Sequence, residues 1–205
     1  MSVLRTLLAS LLILVAGVAA LAAATDGFRA FTSETARRLD VREHPRALPR
    51  VPLQTATGQT IDIAGLRGRW LLVDFIYTRC VTYCSVQGSE FARLQDRLAG
   101  PIAGRQVVLL SISFDPAHDG PPELAAYQQR SGDRGAGWIA ARPVRAADLA
   151  ALKHAFGVTV IPDGLGGYVH NAAIAVVDPR GRLVAITDWD APGEAAGYVL
   201  RRQPR

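Results

Sequence analysis

The sequence predicts an α/β domain, a central mixed sheet flanked by helices, carried behind an apolar N-terminal helix. Three observations lead there. An uncharged run fills residues 6–25, two almost continuous apolar runs of strand length stand at 70–77 and 106–113, and stretches of helical spacing follow each of them. Strands that alternate with helices build a sheet covered on both faces, and a late Asp178-Pro-Arg-Gly181 turn adds an antiparallel hairpin to it.

The first element is Thr6 to Thr25, TLLASLLILVAGVAALAAAT, preceded by Arg5. About twenty helical residues span roughly 30 Å, the thickness of a bilayer's hydrocarbon core. Ala22 to Ala24 offer small residues for cleavage, but the run is longer than the roughly 7–15-residue core of a cleaved signal. A retained signal anchor over residues 1–25 is therefore preferred to a cleaved leader. Arg5 lies on one side of it and Arg29, Arg37, Arg38 and Arg42 on the other. Long domains translocate largely regardless of such charges, which places the remainder in the periplasm, anchored to the cytoplasmic membrane.

Residues 26–50 mix charges and end among Pro45, Pro49 and Pro52, so they read as a juxtamembrane linker, briefly helical around Ser33 to Val41. Residues 51–205 are enough for one well-buried domain. Leu53 to Thr55 and Thr60 to Ile63 flank Thr57-Gly58 as a small hairpin. Trp70 to Tyr77 and Gln106 to Ser113 have the apolar continuity of buried strands. Ser85 to Leu98 is helical, with Phe91, Leu94 and Leu98 on one stripe, and Pro122 to Gln129 and Ala146 to Phe156 also read as helices. His170 to Val177 and Arg182 to Thr187 flank the late turn, and Gly193 to Arg201 closes the chain as a helix. A thioredoxin-like fold fits this order.

Composition removes other classes. At 49% hydrophobic and 20% charged, the chain is neither disordered nor a disulfide scaffold. Its formal charge of +5 comes from 22 arginines and the single Lys153. They are scattered among acids; only Arg201, Arg202 and Arg205 cluster, without the basic helix or aromatic interleaving of a nucleic-acid surface. The excess reads as compositional bias, and no nucleic-acid partner is expected.

The two cysteines lie in Cys80-Val-Thr-Tyr-Cys84, where the first long strand meets its helix. Positions i and i+4 share a helical face, and a helix N-terminus favours thiolates. Cys84 is in step with Phe91 and Leu98, so Cys80 should be the more exposed sulfur and the attacking nucleophile. A structural disulfide closing so short a loop adds only about 2 kcal/mol, which favours a working dithiol. Two thiolates with one imidazole make a soft site suited to Cu(I), whereas structural zinc wants a fourth ligand. His44 lies in the linker, His154 mid-helix and His118 in a Pro-rich loop. His170 follows a glycine-rich loop at 161–167 that could fold over the site; spacing alone does not select it.

The ordered combination Tyr77-Thr-Arg-Cys80-x-x-x-Cys84, Ser111-Ile-Ser-Phe-Asp115-Pro116-x-x-Asp119, Tyr168-Val-His170 and Asp178-Pro-x-Gly181 resembles the Sco/SenC family over about Val51 to Thr187. The resemblance implies a membrane-anchored thioredoxin-like domain that binds copper through Cys80, Cys84 and His170. It also implies a role in assembling the dinuclear copper site of cytochrome c oxidase, and a supporting place for Asp115. The family usually has Pro after each cysteine and an acid between them, where Val81, Thr82 and Ser85 stand here; Val169 replaces the usual Asp before the histidine. Fewer negative groups should alter thiol pKa and copper affinity.

Asp74, six residues before Cys80 in Val73-Asp-Phe75, resembles instead the thioredoxin acid that handles protons for the second cysteine. An acid desolvated in an apolar strand has a raised pKa and suits a general base, unless it sits at an edge and meets water. Two functions follow. One is a copper-binding metallochaperone serving the oxidase's copper-site subunit or another periplasmic copper or thiol protein. The other is a membrane-anchored thiol–disulfide oxidoreductase, with Cys80 attacking, Cys84 resolving and Asp74 accepting the proton. An anchored binding module without metal or redox work is the third reading.

Overall fold

The computed structural model describes residues 2–80, 83–135 and 137–202, with the side chains of residues 2 and 83–86 lying outside the described part. The apolar run forms α1 (Ser2–Ala24). Over Val3–Ala24 its mean hydropathy is 2.6 and none of it is buried by the rest of the chain. A helix that apolar and that bare fits a membrane anchor or a signal sequence. The linker contains α2 (Ser33–Glu43), started by Thr32, whose side chain accepts from the Thr35 amide. Such a cap satisfies one of the donors that a helix start leaves unpaired.

The domain opens with β1 (Arg46–Ala47), β2 (Pro52–Thr55) and β3 (Thr60–Asp62), the last two paired as the expected hairpin. Then come β4 (Trp70–Ile76), α3 (Tyr83–Arg97), α4 (Ala99–Ala103), β5 (Val107–Ser113), α5 (Pro121–Ser131) and β6 (Trp138–Pro143). The chain closes with α6 (Ala146–Phe156), β7 (Val160–Pro162), β8 (Tyr168–His170), β9 (Ala173–Val177), β10 (Arg182–Asp188) and α7 (Pro192–Leu200). Among the described residues eight strands form one sheet, ordered β1-β10-β9-β4-β5-β6-β2-β3. β4, β5 and β6 run parallel, while β9 joins β4 antiparallel. This mixed sheet is the thioredoxin-like arrangement.

Side-chain alternation along the central strands divides the core. Leu71, Val73, Phe75 and Leu110 face α2 and α6, where Val41, Leu152 and Phe156 cover them. Leu72, Ile76 and Leu109 face α3, α5 and α7, against Phe91, Leu94, Leu124 and Val199. Burying side chains of this size contributes about 1.5–3 kcal/mol each. Asp74 falls in the second register and points among these apolar groups; it is fully buried, so the edge-exposed alternative does not hold.

Two features depart from the sequence reading. β6 carries no apolar run of its own: Trp138-Ile-Ala-Ala-Arg-Pro143 lies between β5 and β2, and Ala140 and Ala141 are buried by their neighbours' bulk. His170, expected to open the strand leading to Val177, instead ends β8, which pairs with β7 in a separate two-stranded sheet. Asn171 makes the break. Its side chain donates to the Gly157 carbonyl at 3.0 Å and accepts from the Thr159 amide at 2.8 Å, tying the chain to the hairpin's base before β9 begins.

Candidate metal centre

The site is built where β4 ends. Residues 77–80 are held from below by Asp119, which is fully buried. Its carboxylate accepts from the Thr78 amide at 3.1 Å, the Thr78 hydroxyl at 2.6 Å and the Ser113 hydroxyl. Three donors on one carboxylate fix the turn that delivers Cys80. Asp115, also buried, takes Arg79 Nη2 on one oxygen and His118 Nδ1 on the other, each at 2.8 Å. Burial alone would raise the Asp115 pKa, but the hydrogen bonds from His118 and Arg79 outweigh it and hold the carboxyl below its ordinary value. His118 is therefore engaged with Asp115. His44 and His154 are exposed, on the linker and on α6.

Across from this turn stands the β7–β8 hairpin, shaped by Asp163, whose Oδ1 accepts from the Leu165 and Gly167 amides at 2.7 and 2.9 Å. A side chain at Gly167 would meet Asp163 Oδ2 at 2.5 Å and Tyr77 Oη at 3.1 Å, so the close return needs glycine. The Tyr168 amide donates to Tyr77 Oη at 3.3 Å, and the two rings meet edge to face at 5.2 Å. The hairpin is thereby fastened to the turn before Cys80.

His170 ends that hairpin, half-buried, with its ring 5.0 Å from Phe114. Burial lowers its pKa, opposed by a hydrogen bond with the Phe75 backbone. The imidazole is neutral at neutral pH, and its Nε2 is buried without a hydrogen-bond partner. Cys80 and His170 share a cavity of about 470 Å³, walled also by Tyr77, Gln87, Tyr168 and Trp189. Cys80 is half-buried against the core. Cys84 stands in the first turn of α3, but its side chain lies outside the described residues. Among the described residues no group of three His, Cys, Asp or Glu side chains is placed to hold a metal.

Gln87 was not singled out from the sequence. Its Nε2 donates to Asp74 Oδ2 at 3.1 Å, linking the cavity wall to the buried acid. Burial pushes Asp74 up to about 7, partly offset by hydrogen bonds from Ser111, its own backbone and Gln87. Asp74 Oδ1 and Gln87 Oε1 have no hydrogen-bond partner. A polar residue four positions before Phe91 on an apolar stripe was the available signal.

The SCO1/SenC family model matches residues 39–203. The chain belongs to the SCO1/SenC family. A relative from Stutzerimonas stutzeri, named for copper binding, is 32% identical over 187 residues, covering 89% of this chain and 88% of that protein. Among solved structures, Bradyrhizobium japonicum ScoI with copper bound superposes with a TM-score of 0.65 at 24% identity, over 77% of this chain and 99% of that one. BsSco, described with a disulfide switch and as a member of the Sco family of cytochrome c oxidase assembly proteins, gives 0.65 at 19% identity, over 77% and 94%. At those identities the structural matches carry the thioredoxin-like Sco fold.

Proposed function

We propose that this Sco protein is a copper-binding accessory protein for assembly of the dinuclear copper site of cytochrome c oxidase, anchored by α1 with its domain in the periplasm. Cys80 and Cys84, as thiolates, and His170 hold the copper as cargo, which passes by ligand exchange to the apo form of the oxidase subunit that carries the site. The observation that carries the reading is His170: a neutral imidazole with an unpartnered buried nitrogen, on the same cavity as Cys80. An unsatisfied buried acceptor is costly unless a ligand completes it. A relative named for copper binding and a similar structure solved with copper bound support the choice of metal. The absence of acids at 82 and 169 leaves a less negative site than the family's usual one, so both thiols must be reduced and deprotonated for tight binding.

The test is copper stoichiometry on the reduced full-length protein and on His170→Ala. Stoichiometric binding in the parent, with affinity falling at least about tenfold in the variant, is the expected result. Binding indifferent to His170 overturns the ligand set.

A second reading is favoured by Asp74 and Gln87. In thiol–disulfide exchange, the Cys80 thiolate attacks a target disulfide and releases one target thiolate. Cys84 then displaces the second, leaving the pair oxidised and in need of a reductant. A buried acid with a pKa near 7, reached through Gln87, can accept the Cys84 proton. Both roles can serve the same copper-site cysteines.

A further inference from the structure

Two of the arginines that follow the apolar helix, Arg38 and Arg42, meet Arg201 and Arg202 near the C-terminus in one place. α1 does not lead into a loose tether. Thr25 Oγ1 donates to the Leu21 carbonyl at 2.7 Å, the Gly27 amide to Ala22 at 2.8 Å, and the Arg29 and Ala30 amides to Thr25 at 2.9 Å. Arg29 then pairs with Glu43 at 2.6 Å, which draws the C-terminal end of α2 back towards the end of the apolar helix. Arg42 is the neighbour of Glu43.

From that end a cleft of about 640 Å³ runs between α2, the edge of β10 and α7, lined by Arg38, Arg42, Glu194, Tyr198, Arg201 and Arg202. Arg38 is already paired, with Glu34 and Asp188. Arg202 lies over the Tyr198 ring at 3.7 Å and donates to the Tyr198 carbonyl at 3.3 Å, which braces its guanidinium without neutralising it. Among the described residues Arg42, Arg201 and Arg202 make no ion pair, and neither does Glu194. Three exposed guanidinium groups therefore face one carboxylate in a concave surface. Phe28 and Phe31, in the segment between α1 and α2, are 46% and 67% exposed, as aromatic side chains at a membrane–water boundary are.

We propose that this arginine cleft is a docking surface for the anionic phospholipid headgroups of the membrane that holds α1. Guanidinium forks match phosphate oxygens, and such groups act only within about a Debye length of the surface. The Arg29–Glu43 pair keeps Arg42 within that reach. The other end of α2, at Ser33 and Glu34, borders a second cavity that includes His170 and Trp189. Docking thus holds the far end of α2, beside His170, within one helix length, roughly 16 Å, of the arginine cleft. The proposal rests on the anchoring of α1 and not on the copper reading.

The test uses the full chain in nanodiscs of phosphatidylcholine alone and of phosphatidylcholine with phosphatidylglycerol. Amide exchange is read at residues 38–43 and 194–202. Exchange slower by about tenfold in the anionic discs, restored by high salt, is the expected result. The triple variant Arg42→Gln, Arg201→Gln, Arg202→Gln is expected to exchange alike in both discs while keeping the parent's copper stoichiometry. Equal exchange of the parent in both discs overturns the proposal. Equal protection produced by inorganic phosphate in phosphatidylcholine discs overturns the lipid assignment in favour of a small-anion site. A chain that does not enter discs overturns both docking and anchoring. Docking that fails while copper still binds leaves the proposed function standing, and the reverse result leaves docking standing.

Discussion

Two buried carboxylates lie on either side of the cysteine loop, and they are treated in opposite ways. Asp119 is surrounded by donors, from Thr78 twice and from Ser113. Asp74, equally buried, has an oxygen without a hydrogen-bond partner, and the side chain it shares a bond with has another. A carboxylate that takes three donors on its two oxygens serves as a structural peg. One buried among apolar side chains with an oxygen left unpartnered, where burial outweighs the hydrogen bonds it does receive, retains its proton to near neutrality and serves as a store for it. Two acids of equal burial therefore do different work, decided by their donors.

The sharpest way to break this contrast is Asp119→Ala. It strands the Thr78 amide and hydroxyl and the Ser113 hydroxyl, and we expect about 4 kcal/mol of lost stability by urea unfolding at neutral pH. Copper affinity should fall with it, because the turn that presents Cys80 is released. A loss below about 1 kcal/mol would mean that water replaces the carboxylate and that Asp119 is no peg.

Asp74→Asn should act in the other direction. The Asp74 pKa is raised in the folded protein to about 7, above its unfolded value. Between those values the folded state binds the extra proton, so the parent loses stability as pH rises and the full penalty is present above about 7. The Asn variant lacks that slope and should be more stable than the parent by about 2 kcal/mol at about pH 8, with little difference in mild acid. Urea midpoints across that range give the measurement. The variant should bind copper as the parent does but exchange disulfides more slowly. If exchange is unchanged, Asp74 and Gln87 carry no proton for the dithiol.

The same contrast explains what could be read in advance. Trp70–Ile76 and Val107–Ser113 declared themselves as strands because both faces of each are covered, and nothing in their neighbourhood had to be known. The cysteine pair and the acid at 74 were visible for the same local reason. β6 was not, since Ala140 is buried on the face of Trp138 and α5 and Ala141 on the opposite face with α6, which no local apolar pattern reports. The separate β7–β8 sheet was missed because its two strands pair only with each other, through three residues apiece. Gln87 became meaningful once α3 was laid on β4, which set its amide against Asp74. The positive charge, read from composition as a bias, acquired a location only when α2 and α7 closed one cleft.

Asp115 stands between the two extremes and gives the mildest test. Like Asp119 it is buried with a donor on each oxygen, but its partners are half exposed: Arg79 is 45% and His118 53% open to solvent. Water and salt therefore screen the Arg79 contact, and Arg79→Gln should cost little stability at neutral pH. Because Asp115 is held low by His118 and Arg79, its stabilising share is present above the unfolded pKa and is lost as pH falls through the folded value. The variant should narrow that acid window, leaving stability at neutral pH almost unchanged. Unfolding midpoints of parent and variant from neutral pH into acid measure it. A large loss at neutral pH would place Arg79 with Asp119 as part of the peg, and the boundary between screened and buried donors would have to be redrawn one residue closer to Cys80.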